Sequence, residues 1–388
     1  MHSNYLVVAS TNMISIKIRI ILSITATVTL GSVVTDNAYA DTIKQFPILE
    51  RLQRQGKPLA SETTKWMKKW RGVDLDNPVF KLNELSGSSS VYLKVRKPDP
   101  TDKDGYKAYG TFASSNASGN PYTEIAYFNL AAILGYDHIF RPAVRYALGA
   151  RARQAFKFLL QNTVIPVGNR LENKIHVLQD IATGKPLKGC LKAKKLDTNM
   201  AYDAIADIKN NLPRKNNAII AALQAGNTQP SSSQKLTLLS GYKANLLQLA
   251  REYSIIMTLD VIFQQWDRYS GANVVLAKDN TGIAHFYSTD NGGATLEKNT
   301  TQVVHNLKNF SRYDRKTIQQ LRALYVFLVT PSKGFLGYKN AETFVVDLGL
   351  YNNLKPTEYV AILKQNLRLL LNQVANVERQ FGNKAYLP

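Results

Sequence analysis

The segment at residues 259–294, LDVIFQQWDRYSGANVVLAKDNTGIAHFYSTDNGGA, leaves this chain the fewest options. An apolar run delivers Asp267-Arg268 into a short polar loop that contains Asn273. A strand-like Val274-Val275-Leu276 follows, then a turn at Lys278-Asp279-Asn280-Thr281-Gly282. A second strand-like run from Ile283 to Tyr287 ends on Asp290-Asn291-Gly292-Gly293. The pattern predicts a helix, a loop carrying an acid and an amide, a β-hairpin, and a second acid at the hairpin's exit. Two carboxylates and an amide brought together by a rigid hairpin suit divalent-metal and phosphate chemistry.

The 388 residues are enough for one large domain or two smaller ones, and the 45% hydrophobic content is that of a globular chain. The first 40 residues differ. Lys17 and Arg19 precede an uncharged run from Ile20 to Val34, and Ala38-Tyr39-Ala40 follows it, the pattern of a secretory signal peptide cleaved before Asp41. No later run is apolar enough to span a membrane, so the chain is expected to be secreted or periplasmic after cleavage, with no transmembrane segment. Cys190 is the only cysteine, which excludes an intrachain disulfide. The net charge of +21 favours polyanionic partners. Lys185, Lys188, Lys192, Lys194 and Lys195 cluster around Cys190 as an expected polyanion site. They lack interleaved aromatics, so nucleic acid is not the expected partner.

Taken in order, residues 41–72 read as helical. Strand-like runs follow at 79–82, 91–95 and 106–113, with the small-residue loop Ser86-Gly87-Ser88-Ser89-Ser90 between the first two. Such a loop can close over phosphates through its backbone amides. Lys94 and Lys107 are the strand lysines available to grip them. A helix over 123–134 carries Glu124 in its first turn, with Pro121 before it and Gly135 placed to cap its end. The chain then predicts a helix at 149–161, strands at 163–167 and 175–178, and one or two helices over 199–226 broken at Pro213. A polar loop at 225–235 is followed by a helix over 236–265. The clearest late helices are 316–330 and 356–381.

C-x-x-C, H-E-x-x-H, G-x-S-x-G and P-loop motifs are all absent, and the five histidines are scattered. What remains is a small-residue loop, strand lysines, a helix-start Glu, and an Asp/Asn loop followed by an Asp. In that order these are parts of a protein-kinase-like active site. Asp267-Arg268-Tyr269 with Asn273, then Asp290-Asn291-Gly292, resembles the paired motifs of atypical kinases. These are the secretory-pathway Golgi casein kinase family, the HipA toxin kinases and the phosphatidylinositol kinases. Glu124-Ile125-Ala126, Phe128, Leu130, Ile133-Leu134-Gly135 and Pro142 are similar to the αC region of the Golgi casein kinases. Tyr269 stands where those relatives carry His, and Asn273 follows Asp267 by six residues where they have five.

The resemblance implies an α+β, bilobal protein-kinase-like fold, and the A-x-A signal with no cysteine framework suggests a bacterial exported protein. A small β-rich N-lobe would span residues 76–170 and a larger helical C-lobe 171–388, after a signal peptide at 1–40 and a helical extension at 41–75. Asp267 and Arg268 would be catalytic, and Asp290 and Asn273 would bind Mg2+ or Mn2+. ATP would be held by Lys94 or Lys107 with Glu124, Gly87, Ser88 and Ser89. The activity implied is transfer of the γ-phosphate of ATP to a hydroxyl acceptor, foremost Ser/Thr of a protein, by an enzyme exported toward a host cell. An acidic or inositol-polyphosphate activator would suit the basic surface. Two alternatives stay open: a lipid or small-molecule kinase of the same fold, and an inactive pseudokinase or polyanion-binding module.

Overall fold

The computed structural model describes residues 46–87, 90–114, 120–194, 206–207, 212–213, 217–237, 243–269, 273–278, 282–296, 303, 307–351 and 354–388. The expected signal segment, Ser88, Ser89 and Lys195 lie outside the described residues. Two helices come first, α1 (Pro47–Arg54) and α2 (Ser61–Trp70). Five strands then build one antiparallel sheet in the order β1-β2-β3-β5-β4: β1 (Leu85–Ser86), β2 (Tyr92–Pro98), β3 (Tyr106–Ser114), β4 (Ala143–Leu148) and β5 (Leu187–Ala193). Helix α3 (Pro121–Leu134) is inserted between β3 and β4, and α4 (Ala150–Asn162) and α5 (Asn169–Ala182) between β4 and β5. Two short strand pairs follow, β6 (Ala206–Asp207) with β7 (Leu212–Pro213), and β8 (Lys235–Thr237) with β9 (Lys243–Asn245). The short helix α6 (Ala218–Ala222) lies between them. Then come α7 (Leu246–Phe263), the hairpin β10 (Val274–Lys278) and β11 (Ala284–Ser288), α8 (Arg315–Val329), α9 (Ala341–Leu348) and α10 (Pro356–Phe381). The fold is α+β, as the sequence leads one to expect.

Two helices are buried almost all round and form the centre. Every residue of α3 is buried. Asn120 caps its start by accepting from the Tyr122 amide, Pro121 presets the first turn, and Gly135 ends it in the left-handed conformation (φ 85°). In α7 only Gln248 and Arg251 escape full burial. Such helices show no polar face because they have none to show. By contrast α10 buries one stripe, Tyr359, Leu363, Asn366, Leu367, Leu370, Val374 and Val377, at helical spacing. Among the described residues no helix is long and apolar enough to cross a membrane.

Several local expectations are corrected. Residues 175–178 belong to α5, whose buried Asn173, Val177 and Ile181 recur at four-residue spacing. A short apolar run of this kind does not by itself separate strand from helix. Residues 163–167 form no strand. The described part of 199–226 contains the β6–β7 pair and only the short α6, and the helix expected from 236 begins at Leu246, after β8 and β9. Residues 79–82 contribute a single bridge, Lys81 to Arg96. The sheet also runs on to Ala193, past the boundary expected at residue 170.

Candidate functional site

The site forms where the sheet, the start of α3 and the exit of the β10–β11 hairpin meet. On β5, side chains alternate faces, and Cys190 and Lys192 fall on the side covered by α3. Lys192 is 1% exposed, and its Nζ lies 2.9 Å from Oε1 of the equally buried Glu124. It also lies 3.6 Å from Oδ1 of Asp290, whose side chain is 41% exposed. The Tyr92 ring sits 4.3 Å from the same ammonium. Burial disfavours the lysine charge, but Glu124, then Tyr92 and Asp290, more than restore it, so the pKa lies above the usual lysine value. Lys192 is therefore a fixed cation.

The second carboxylate oxygen of Glu124 accepts from Asn291 Nδ2 at 3.3 Å. Asn291 Oδ1 in turn accepts from Ser288 Oγ (2.8 Å) and from Arg268 NH2 (2.9 Å). Arg268 is fully buried and pairs side-on with Asp260, at 2.8 and 2.6 Å. Its NH1 donates to Ser288 Oγ and to the carbonyls of Asn273 and Thr289. A guanidinium with its donors spent on both ends of the hairpin fixes the spacing of the two acidic loops. Arg268, expected among the catalytic residues, is thus a buried positioning group.

The backbone around Asp267 is held at both ends. Its amide donates to Gln265 Oε1 (3.1 Å), and its carbonyl accepts from Asn273 Nδ2 (2.6 Å). A carbonyl can only accept, so the Asn273 nitrogen must face it, and Oδ1 is the atom left to meet a cation. Asp290 adopts a left-handed backbone, φ 54°, and Gln265 Nε2 reaches its carbonyl. Gly293 lets the two loops approach closely here. A Cβ at that position would lie 2.7 Å from Gln265 Oε1 and 3.1 Å from Asp267 Cβ. Helix α3 is sewn to the same segment: the Asn120 amide donates to the Gly292 carbonyl (2.8 Å) and Thr123 Oγ1 to the Asn291 carbonyl (2.9 Å).

Asp290 borders a cleft of about 1000 Å³ that is also lined by Gly87, Lys94 and Lys107. Neither of these two lysines reaches Glu124: Lys94 pairs with Glu84 and Lys107 with Asp99. Lys94 stands opposite Thr111, and Thr111 opposite Lys192, so all three share one face of the sheet. The lysine that meets Glu124 is two strands over from the expected one, roughly 10 Å away. Lys192 is set apart from the expected polyanion cluster, because it is buried beneath the surface against Glu124. Lys185 and Lys188 are exposed, and Lys194 lines the cleft.

Sequence reasoning missed Lys192 because it sits among four other lysines. The signal was the alternation of Lys188, Cys190 and Lys192 against Leu187, Gly189 and Leu191. It also passed over His138 and His285, which the fold brings together beside Glu252.

No family model and no curated protein matches this chain. Among solved structures it is similar to hydra Fam20, solved with a sugar, at 11% identity over 79% of this chain and 89% of that one, with a TM-score of 0.47. It is also similar to a Golgi casein kinase at 12% identity, over 88% of this chain and 89% of that one, with a TM-score of 0.49.

Proposed function

We propose that this protein is an ATP-dependent phosphotransferase of kinase-like architecture, acting on a hydroxyl acceptor, foremost Ser/Thr of a protein. The observation that carries this is the buried Lys192–Glu124 pair, set 3.6 Å from the half-exposed Asp290 carboxylate at a large cleft. A cation held rigid by a helix carboxylate, next to an acid on a left-handed turn, is what positioning of a polyphosphate requires. Asp290 and Asn273 offer only oxygen donors, which fits Mg2+ or Mn2+. When bound, that ion would neutralise charge on the phosphate oxygens.

The remaining work falls to this chain's own groups. Lys192 would hold the α- and β-phosphates, with Glu124 preventing its ammonium from swinging away. Asp267, on a loop fixed by Gln265 and Asn273, would orient the acceptor hydroxyl and take its proton. Lys94, Lys107 and Gly87 line the cleft and would contribute to nucleotide contacts. Tyr269, which replaces the usual His of the resembled motif, is buried and hydrogen-bonded to Tyr253 (2.5 Å). That departure lies in the core, against Tyr253 and Met257 of α7.

The test is incubation of the full chain with γ-labelled ATP and either metal, with a generic acidic protein as acceptor. Labelling that Asp267→Ala and Asp290→Ala both abolish is expected. Metal-dependent ATP binding without transfer would reduce the protein to a binding module, and no ATP-induced stabilisation in either metal would remove the proposal.

A further inference from the structure

A second cluster of donors lies away from Asp267 and Asp290. His285 on β11 places Nδ1 2.6 Å from Oε1 of Glu252 on α7, and His138, in the turn after α3, places Nε2 3.7 Å from the same oxygen. One donor atom from each of the three residues falls within 4.8 Å of those from the other two. Glu252 is 2% exposed. Burial pushes its carboxyl up, but the neighbouring His138 and His285 rings outweigh that and hold it below the usual range. Its other oxygen is anchored by the Phe286 amide at 2.8 Å.

His285 Nδ1 lies 2.8 Å from Gln248 Nε2, which can only donate, and 2.6 Å from the Glu252 oxygen, which as a carboxylate can only accept. Gln248 Nε2 also donates to that Glu252 oxygen, at 3.0 Å. The His138 contact, at 3.7 Å, is beyond a hydrogen bond. A cation bonded to each donor at about 2.0–2.2 Å would hold them roughly 3.4 Å apart in tetrahedral geometry. The observed 2.6 and 3.7 Å bracket that spacing. The Phe286 amide on the second Glu252 oxygen supplies an outer hydrogen bond that orients this carboxylate. His138 and His285 both line a cavity of about 400 Å³, together with Asp137, Lys194 and Tyr287.

We propose that His138, Glu252 and His285 form a transition-metal site of the Zn2+ class, with its fourth coordination position toward this cavity. Two imidazoles and one carboxylate are a borderline-soft donor set, unlike the all-oxygen set at Asp290, so the two sites would select different ions. Three protein ligands beside an open cavity leave room for water or an anionic group of a ligand.

The test is equilibrium dialysis of the full chain against buffered Zn2+, followed by metal analysis, with Co2+ absorption as a geometric readout. One ion per chain is expected, together with a rise in melting temperature and the visible bands of four- or five-coordinate Co2+. His138→Gln and His285→Gln should lose all three. His176→Gln, which removes the surface His176–Asp180 pair on α5, should keep them. His138 is partly exposed, so its variant is the one expected to fold normally, and circular dichroism checks that it does. A folded wild-type chain that takes up no stoichiometric Zn2+, or uptake that survives His138→Gln, would overturn the proposal.

Discussion

Lys192 sits in an environment that tolerates a charge only because Glu124 is there. Replacing it with Met should leave a buried, unpaired carboxylate, costing about 3–5 kcal/mol, whereas the double variant Lys192→Met, Glu124→Met should recover most of that. Chemical denaturation of the two variants measures the difference. Neither should transfer phosphate, which separates the role of the pair in the fold from its role in the site. The pH dependence follows from the raised lysine pKa. Stability from this charge is complete below the unfolded value of 10.5 and is lost only as pH climbs through the higher folded value. The Lys192→Met penalty should therefore be constant from about pH 6 to 9. A penalty that changed within that window would mean the pair is not the fixed ion pair the geometry shows. The placement of Asp267 and Asp290 at the two ends of one hairpin was legible in the sequence, since the hairpin's turn and alternation are plain. The lysine was not, because which strand lies beneath α3 is decided by sheet order, and sheet order is not written in any local pattern.

Helix α3 connects that residue pair to the rest of the site. Asn120 does two jobs at its start, accepting from the Tyr122 amide and donating its own amide to Gly292. Asn120→Ala should remove the cap at a cost of about 1 kcal/mol and loosen the helix from the sheet. Cys190 provides a reporter. It is wholly buried against Tyr122, Ile125 and Ala143, and burial pushes its thiol well above the usual range. Native protein should resist alkylation at mildly alkaline pH, and Asn120→Ala should label faster than wild type. Equal rates would mean α3 does not open at its N-terminus. The sequence displayed this helix clearly, through Pro121, Glu124 and Gly135, and also α10 and the β10–β11 hairpin. It hid α5, because Ile175-His176-Val177-Leu178 carries β-branched residues in a run too short to show a helical period. It hid β8 and β9 because a two-strand clip before α7 looks like the first turns of that helix.

At the scale of the molecule, a continuous polar chain runs from the sheet into the helical core: Lys192, Glu124, Asn291, Arg268, Asp260 and finally the Tyr127 hydroxyl, 2.9 Å from Asp260. Every link is buried, where an unmade hydrogen bond is expensive and a complete network is rigid. Asn291 is the only neutral side chain between the two ion pairs, so it tests whether they act together. Asn291→Ala should cost about 1–3 kcal/mol, by stripping one acceptor's partner from Glu124 and one acceptor from Arg268. If the network is a unit, part of that cost vanishes once Glu124 has lost Lys192 and no longer holds a defined position. A double-mutant cycle of Lys192→Met with Asn291→Ala should then give a coupling energy of about 0.5–3 kcal/mol, measured by denaturant unfolding. Strict additivity would show that the sheet and the helical core carry their charges independently. In that case the alignment of Lys192 with Asp290, 3.6 Å apart, would have to come from apolar packing around α3 alone.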